Sequence, residues 1–155
     1  MADSVQKLMF NAIFTILQGI TKANGYRTDV GLNAYRWKSS EWDAEEIPGL
    51  DLRDVSTSFD DRIGGLRRRT VTLEVTAALN PGALASDAMH DVRDDIAEAL
   101  STQSDLATSF PTGFQSLILK DESKFIKLEE RVLCGVRLTY ELIFQTTLKN
   151  TATQR

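Results

Sequence analysis

The chain has one histidine and one cysteine among its 155 residues, too few for a histidine- or cysteine-rich metal site. A lone Cys134 cannot form an internal disulfide, so no oxidising compartment is required. Set within a strand pattern, it reads as a small buried hydrophobe. His90 by itself provides neither a zinc ligand set nor, with no cysteine at suitable spacing, a nucleophile and base pair. It falls on a helix among aspartates and reads as a solvated or capping side chain. The nine glycines nowhere form the spaced fingerprint between strand and helix that cradles phosphate. Lys and Arg number 18 against 22 Asp and Glu, for a net charge of -4, so the basic excess of a nucleic-acid binder is missing. No apolar run reaches the roughly 20 residues that span a bilayer. Leu8 to Ile20 follows Lys7 as a secretory h-region would, but Asp3 precedes it, polar Asn11, Thr15 and Gln18 interrupt it, and no small-residue cleavage site follows. The expectation is a protein without cofactor, metal or catalytic residues, not an enzyme and not membrane-bound.

A hydrophobic content of 42% with 26% charged residues is ordinary for a globular protein, and this length suits one domain over 1-155 with a real core. Ser4 is a fitting N-cap for a helix whose Val5, Leu8, Met9, Ala12, Ile13, Ile16, Leu17 and Ile20 recur at helical spacing, with Asn24-Gly25 as the stop. Phe10, Phe14 and Leu17 form a second apolar flank, so the apolar arc is wider than one sheet covers. Val30 to Trp37 reads as a strand, with Val30, Leu32 and Ala34 opposed to Asn33, Tyr35 and Trp37. Lys38 to Gly49 is a loop by composition, acidic from Glu41 to Glu46, with Trp42 exposed in it.

Leu50 to Phe59 and the stronger Arg67 to Leu79 make a long hairpin through Gly64-Gly65, with a tip expected to be mobile. Val71, Leu73, Val75, Ala77 and Leu79 define the packed face of its second arm. After Asn80-Pro81-Gly82, Ser86 is the expected cap of a second helix with Ala88, Met89, Val92, Ile96, Ala99 and Leu100 buried. Its outer face crowds Asp87, Asp91, Asp94, Asp95 and Glu98, which reads as a solvated face rather than a cation site. Ser101 to Gly113 is loop-like, Phe114 to Lys120 a strand and Asp121 to Lys124 a turn. The strict alternation from Val132 to Phe144 predicts a long central strand, and the polar tail from about 146 is expected to fray. The fold class is α+β: a mixed, mainly antiparallel sheet, two helices packed on it and a long β-hairpin.

Arg67, Arg68 and Arg69 are the one basic cluster. Three arginines are too few for a nucleic-acid groove and fit a salt bridge to another subunit or partner, or a solvated edge. With Phe10, Phe14, Leu17, Trp37 and Trp42 they form the candidate interaction surface.

The order of elements, with the stretch Asn24-Gly25-Tyr26-Arg27-Thr28-Asp29-Val30-Gly31, the strand ending Tyr35-Arg36-Trp37, the hairpin with Arg69-Thr70-Val71 and the terminal strand through Tyr140, resembles the tail terminator (tail completion) proteins of long-tailed bacteriophages. Neck (head-tail connector) proteins share this look, and a bacterial protein-interaction domain is the alternative outside viruses. The resemblance implies a structural virion protein, made in the bacterial host cytoplasm. It would assemble with itself as a homo-oligomeric ring, a hexamer in the family, that caps the tail tube, stops its elongation and takes part in head-tail joining at the neck during virus assembly. Its partners would be the tail tube protein and the neck protein, with DNA only in passage through the channel. Asp87, Asp91, Asp94, Asp95 and Glu98, or the acids of Glu41 to Glu46, are then candidates to line that channel, where negative walls keep phosphates from sticking.

Overall fold

The strongest alternations in the sequence become the interior of one sheet. The computed structural model describes residues 4–62, 65–82, 84–101, 113–127 and 132–147. In chain order these form α1 (Val5–Gln18), β1 (Ala34–Arg36), β2 (Gly49–Arg62), β3 (Leu66–Leu79), α2 (Ala85–Ala99), β4 (Phe114–Lys127) and β5 (Leu133–Thr147). The strand order is β1-β2-β3-β5-β4, with β1 parallel to β2 and every other pair antiparallel. The expected α+β architecture, with its mixed sheet, two helices and long hairpin, is the observed one. The central strand is β3, and β5 lies beside it, flanked on both sides.

Register explains the core. Val71, Leu73, Val75, Ala77 and Leu79 stand opposite Leu142, Tyr140, Leu138, Val136 and Cys134, all buried on one face of the sheet. Val5, Met9, Ile13 and Leu17 of α1 and Val92 and Ile96 of α2 close that face, each at most 1% exposed. Burying a side chain of this size contributes roughly 1.5–3 kcal/mol. Ser4 caps α1 as expected, its Oγ accepting from Lys7 N at 3.2 Å. The other face of the sheet is polar along most of its length and is covered at one end by a small cluster of Ile47, Ala78 and Leu133 with Trp42 and Phe125.

Several boundaries differ from the sequence reading, each for a local reason. The helix α1 stops at Gly19, and Gly25, at φ 91°, instead closes a separate 3-10 turn, Lys22–Asn24. The stretch read as a strand from Val30 to Trp37 is a 3-10 turn, Val30–Asn33, followed by only three strand residues. Gly31 is the cause: its N–H donates to Ile20 O at 2.9 Å, and a Cβ there would collide with the carbonyls of Leu17, Gln18 and Ile20 at the end of α1. That close approach bends the chain and leaves Leu32 69% exposed. The helix α2 starts at Ala85, so Ser86 lies inside its first turn and is not the cap. Asp121 to Lys124 is strand, not turn, because a bulge at Lys120 lets β4 continue along β5, from Leu119 opposite Tyr140 to Asp121 opposite Thr139. An edge strand tolerates these polar residues, and α2 meets them: Glu122 accepts from Arg93 at 2.8 Å, and Lys124 Nζ lies 3.0 Å from His90 Nε2. Gly64 at the hairpin tip, most of the Ser101 to Gly113 loop and the tail beyond Thr147 lie outside the described residues.

Candidate interaction surfaces

The apolar flank on α1 is closed by the chain itself. Leu17 is fully buried in the core, which corrects its place on a candidate surface: it continues the i, i+4 stripe of Val5, Met9 and Ile13 that packs into the main core. Phe10 and Phe14 are half-buried against the same core. Arg36 of β1 lays its guanidinium 4.8 Å from the Phe14 ring centre and is held there by a 2.6 Å hydrogen bond to Asn11 Oδ1. The wide arc is thus satisfied by β1 and its approach.

Trp37 follows β1 in a left-handed conformation, φ 51°, which costs a bulky residue about 1–3 kcal/mol. Three contacts hold it: its N–H donates to Leu52 O at 3.1 Å, its Nε1 to Asp54 Oδ1 at 2.9 Å, and Arg53 stacks on the ring at 5.4 Å. The residue remains 51% exposed. This turn also ends the pairing of β1, so β2 beyond Leu52 is an edge among the described residues.

Trp42 is half-buried, not exposed. It meets Tyr35 edge-on with ring centres 5.7 Å apart, and Lys38 Nζ lies 4.8 Å from the Tyr35 ring and 5.2 Å from the Trp42 ring. Lys38 pairs with Glu46 at 3.0 Å, both side chains largely covered. Glu46 also closes a capping box with Asp43, and its carboxyl is pulled down to about 2 by the Asp43 N–H first, then by Lys38 and Tyr35. Buried Asp51 accepts from Lys38 N at 2.9 Å and from Arg53 Nε at 2.6 Å. Glu41 pairs with Lys127. The acidic loop is therefore a strap across one end of the sheet, with Glu41 and Glu46 ion-paired and Asp43 and Glu45 exposed. Between strap and sheet lies a cleft of about 340 Å³, lined by Lys38, Trp42, Arg53, Phe125 and Arg137 among others. Arg137 donates to Thr76 and stacks on Phe125, and Lys38 Nζ also donates to Ser40 Oγ at 3.0 Å within the cleft lining.

The acidic face of α2 divides. Asp95 is 0% exposed, which removes it from any channel wall. Its Oδ1 accepts from Arg27 N at 3.1 Å and Arg27 Nη1 at 3.2 Å, and its Oδ2 accepts from Thr28 N at 2.8 Å and Thr28 Oγ1 at 2.7 Å. It ties the segment before β1 to α2. Helical spacing places Asp95 on the edge of the buried stripe beside Ile96 and Ala99, a signal that five acids in one short helix obscured. Glu98 also pairs with Arg27, and Asp94 with Arg93. Asp87, Asp91, Asp94 and Glu98 remain exposed.

The arginine cluster splits by strand parity. Arg67 and Arg69 stand on the helix-bearing face, opposite Asp61 and Phe59; Arg68 stands on the other, opposite Asp60. Phe59 is 55% exposed, with Arg67 and Arg69 stacked 5.1 and 5.2 Å from its ring centre. Sequence reading passed over Phe59, although counting back along the hairpin pairs it with Arg69. Burial, then the neighbouring Arg67 charge, lowers the Arg69 pKa, and its Nε is out of water without a partner atom. Cys134 is buried, and burial pushes its thiol up. Among the described residues no three His, Cys, Asp or Glu side chains are grouped as a metal site, and no helix is long and apolar enough to cross a membrane. Compared with known proteins, the chain matches no family model and no curated sequence.

Proposed function

We propose that this chain is a structural virion protein, a ring-forming tail terminator of a long-tailed bacteriophage that caps the tail tube, stops its elongation and joins it to the neck. One observation carries the reading beyond the resemblance in sequence: the far end of the β2–β3 hairpin presents exposed Phe59 between Arg67 and Arg69. An aromatic side chain beside arginines is the composition of an interface hot spot. In this reading the partners are further copies of the chain in a hexamer, the tail tube protein below and the neck protein above. DNA passes through a hole whose negative balance limits sticking. The protein is then made in the host cytoplasm and ends in the virion.

Electron microscopy of the purified chain, alone and mixed with tail tubes, tests this. The expected result is a ring with a DNA-wide hole, bound to one end of each tube and halting its growth. A compact monomer that leaves tubes growing overturns it. A ring that binds the head side and ignores tubes replaces the terminator with the neck protein that shares its look.

A further inference from the structure

We infer that the arginine end of the hairpin docks on the exposed outer stripe of α2 in a second copy of the chain, with Arg67 and Arg69 meeting Asp91 and Asp87 and Phe59 meeting Leu84. The inference rests on the self-assembly proposed above and names the contact that joins the copies.

The first surface has an unmet need. Phe59 holds two guanidinium groups against one half-exposed ring. Arg69 is also 6.0 Å from the Phe144 ring centre, and its Nε has no acceptor. With Nε out of water, the edge a planar carboxylate from outside would meet is the one formed by the two Nη groups. The carboxylate in the adjoining cleft of about 240 Å³, Asp54, already accepts from Gln6 and from Trp37. Asp61 stands opposite Arg67 on the same face, so it is Arg69, opposite Phe59, that an acidic side chain from outside would complement.

The second surface is its complement. Leu84, Asp87 and Asp91 recur at i, i+3 and i+7, so they share one stripe of the helix. Leu84 is 76% exposed, the most exposed large hydrophobic side chain among the described residues. The other acids of α2 have cations of their own: Asp95 and Glu98 take Arg27, and Asp94 takes Arg93. Among the described residues Asp87 and Asp91 have none. The spacings agree as well. Two residues along a strand advance about 6.7 Å, which separates Arg67 from Arg69, and four residues along a helix advance about 6 Å, which separates Asp87 from Asp91. Leu84, one turn before Asp87, then offers an apolar contact to the Phe59 ring beside Arg69.

The arginines begin β3 and α2 follows its other end at Leu79, so the patches sit at opposite ends of a 14-residue strand. A contact of this kind runs head to tail and repeats from copy to copy, closing into a ring where the rotation allows. It also assigns Asp87 and Asp91 to the contact between copies rather than to a channel wall.

Sedimentation of the full chain tests the contact through two variants, R67E/R69E and D87R/D91R. Each alone places like charges across the contact and is expected to weaken self-association at least about tenfold, with far-UV circular dichroism and melting temperature like the parent. Mixed in equal amounts they restore opposite charges at every contact of an alternating assembly, and association should return. R67Q/R69Q, which adds no repulsion within the hairpin, serves if the reversed variant fails to fold, and it too should dissociate. A parent chain that stays monomeric, a folded variant that associates like the parent, or a mixture that fails to recover overturns the inference. Tube capping is read separately, so a protein that associates through this contact yet ignores tail tubes sinks only the terminator reading.

Discussion

Replacing Asp95 separates a structural carboxylate from a surface one. Its two oxygens hold the backbone N–H groups of Arg27 and Thr28, the Thr28 hydroxyl and the Arg27 guanidinium. The Arg27 side chain is 49% exposed, so its ion pair is screened and adds little. The backbone donors and the hydroxyl carry the energy. Asp95→Asn keeps an acceptor for Arg27 N but turns an amide NH2 toward Thr28 N–H, leaving one donor unpaired at a cost of about 1–3 kcal/mol. Asp95→Ala strands both N–H groups and is expected to cost about 2–4 kcal/mol, discounted because water reaches Arg27. For a chain of this length that is roughly 5–12 °C in melting temperature. Urea titration followed by far-UV circular dichroism measures both variants, and the ranking parent, Asn, Ala is the expected order of midpoints. An Ala variant as stable as the parent would show that the carboxylate is spare charge on an acidic face, and the reasoning would fail.

Three further outcomes follow from the geometry. Glu46 has its pKa depressed from 4.5 to about 2, so its contribution is present above pH 4.5 and lost as the pH falls toward 2; Trp42 fluorescence should shift across that window, and an unchanged step in Glu46→Gln would assign it elsewhere. Gly135→Ala places a Cβ against Ala77 O and 2.7 Å from the Phe125 ring, so a loss of about 1–3 kcal/mol in denaturant titration is expected, and a neutral result would mean the two strands shift apart freely. Leu17→Ala should cost about 2–5 kcal/mol as a core truncation; a loss below about 1 kcal/mol, with assembly impaired, would return Leu17 to a subunit surface.

What the sequence made legible follows from how far each signal reaches. Alternation in β3 and β5 extends over seven pairs of residues or so, and no local accident overrides it. The α1 stripe is equally long, which is why Val5, Met9, Ile13 and Leu17 were readable as core. The errors fall where a single close contact decides. Gly31 against the end of α1 turned an apparent strand into a 3-10 turn, and one bulge at Lys120 let a polar tetrapeptide remain strand. Loop composition hid the strap for a related reason: Lys38, Glu46, Tyr35 and Trp42 read separately as solvent-loving or aromatic, and only their convergence buries them. The Asp43 to Glu46 spacing of a capping box was the one local hint.

Charge in this molecule divides into two uses, and the division supports the assembly reading more than any total does. Asp51, Asp95, Lys38 and Glu46 are covered and bonded inside the chain, where removing one partner leaves the other stranded and the fold suffers. Among the described residues neither Asp87 nor Asp91 has a cation in its own chain; Asp87 alone sits in the first turn of α2, at the favourable end of its dipole, and Arg69 ends in an Nε without an acceptor. Exposed charges that merely keep a protein soluble need no spacing and no apolar neighbour. Here each set has both: a pair at matching separation and a large hydrophobic side chain, Leu84 or Phe59, more than half exposed beside it. Mutations in the first set should therefore move stability and leave self-association per folded molecule unchanged, whereas mutations in the second should do the reverse.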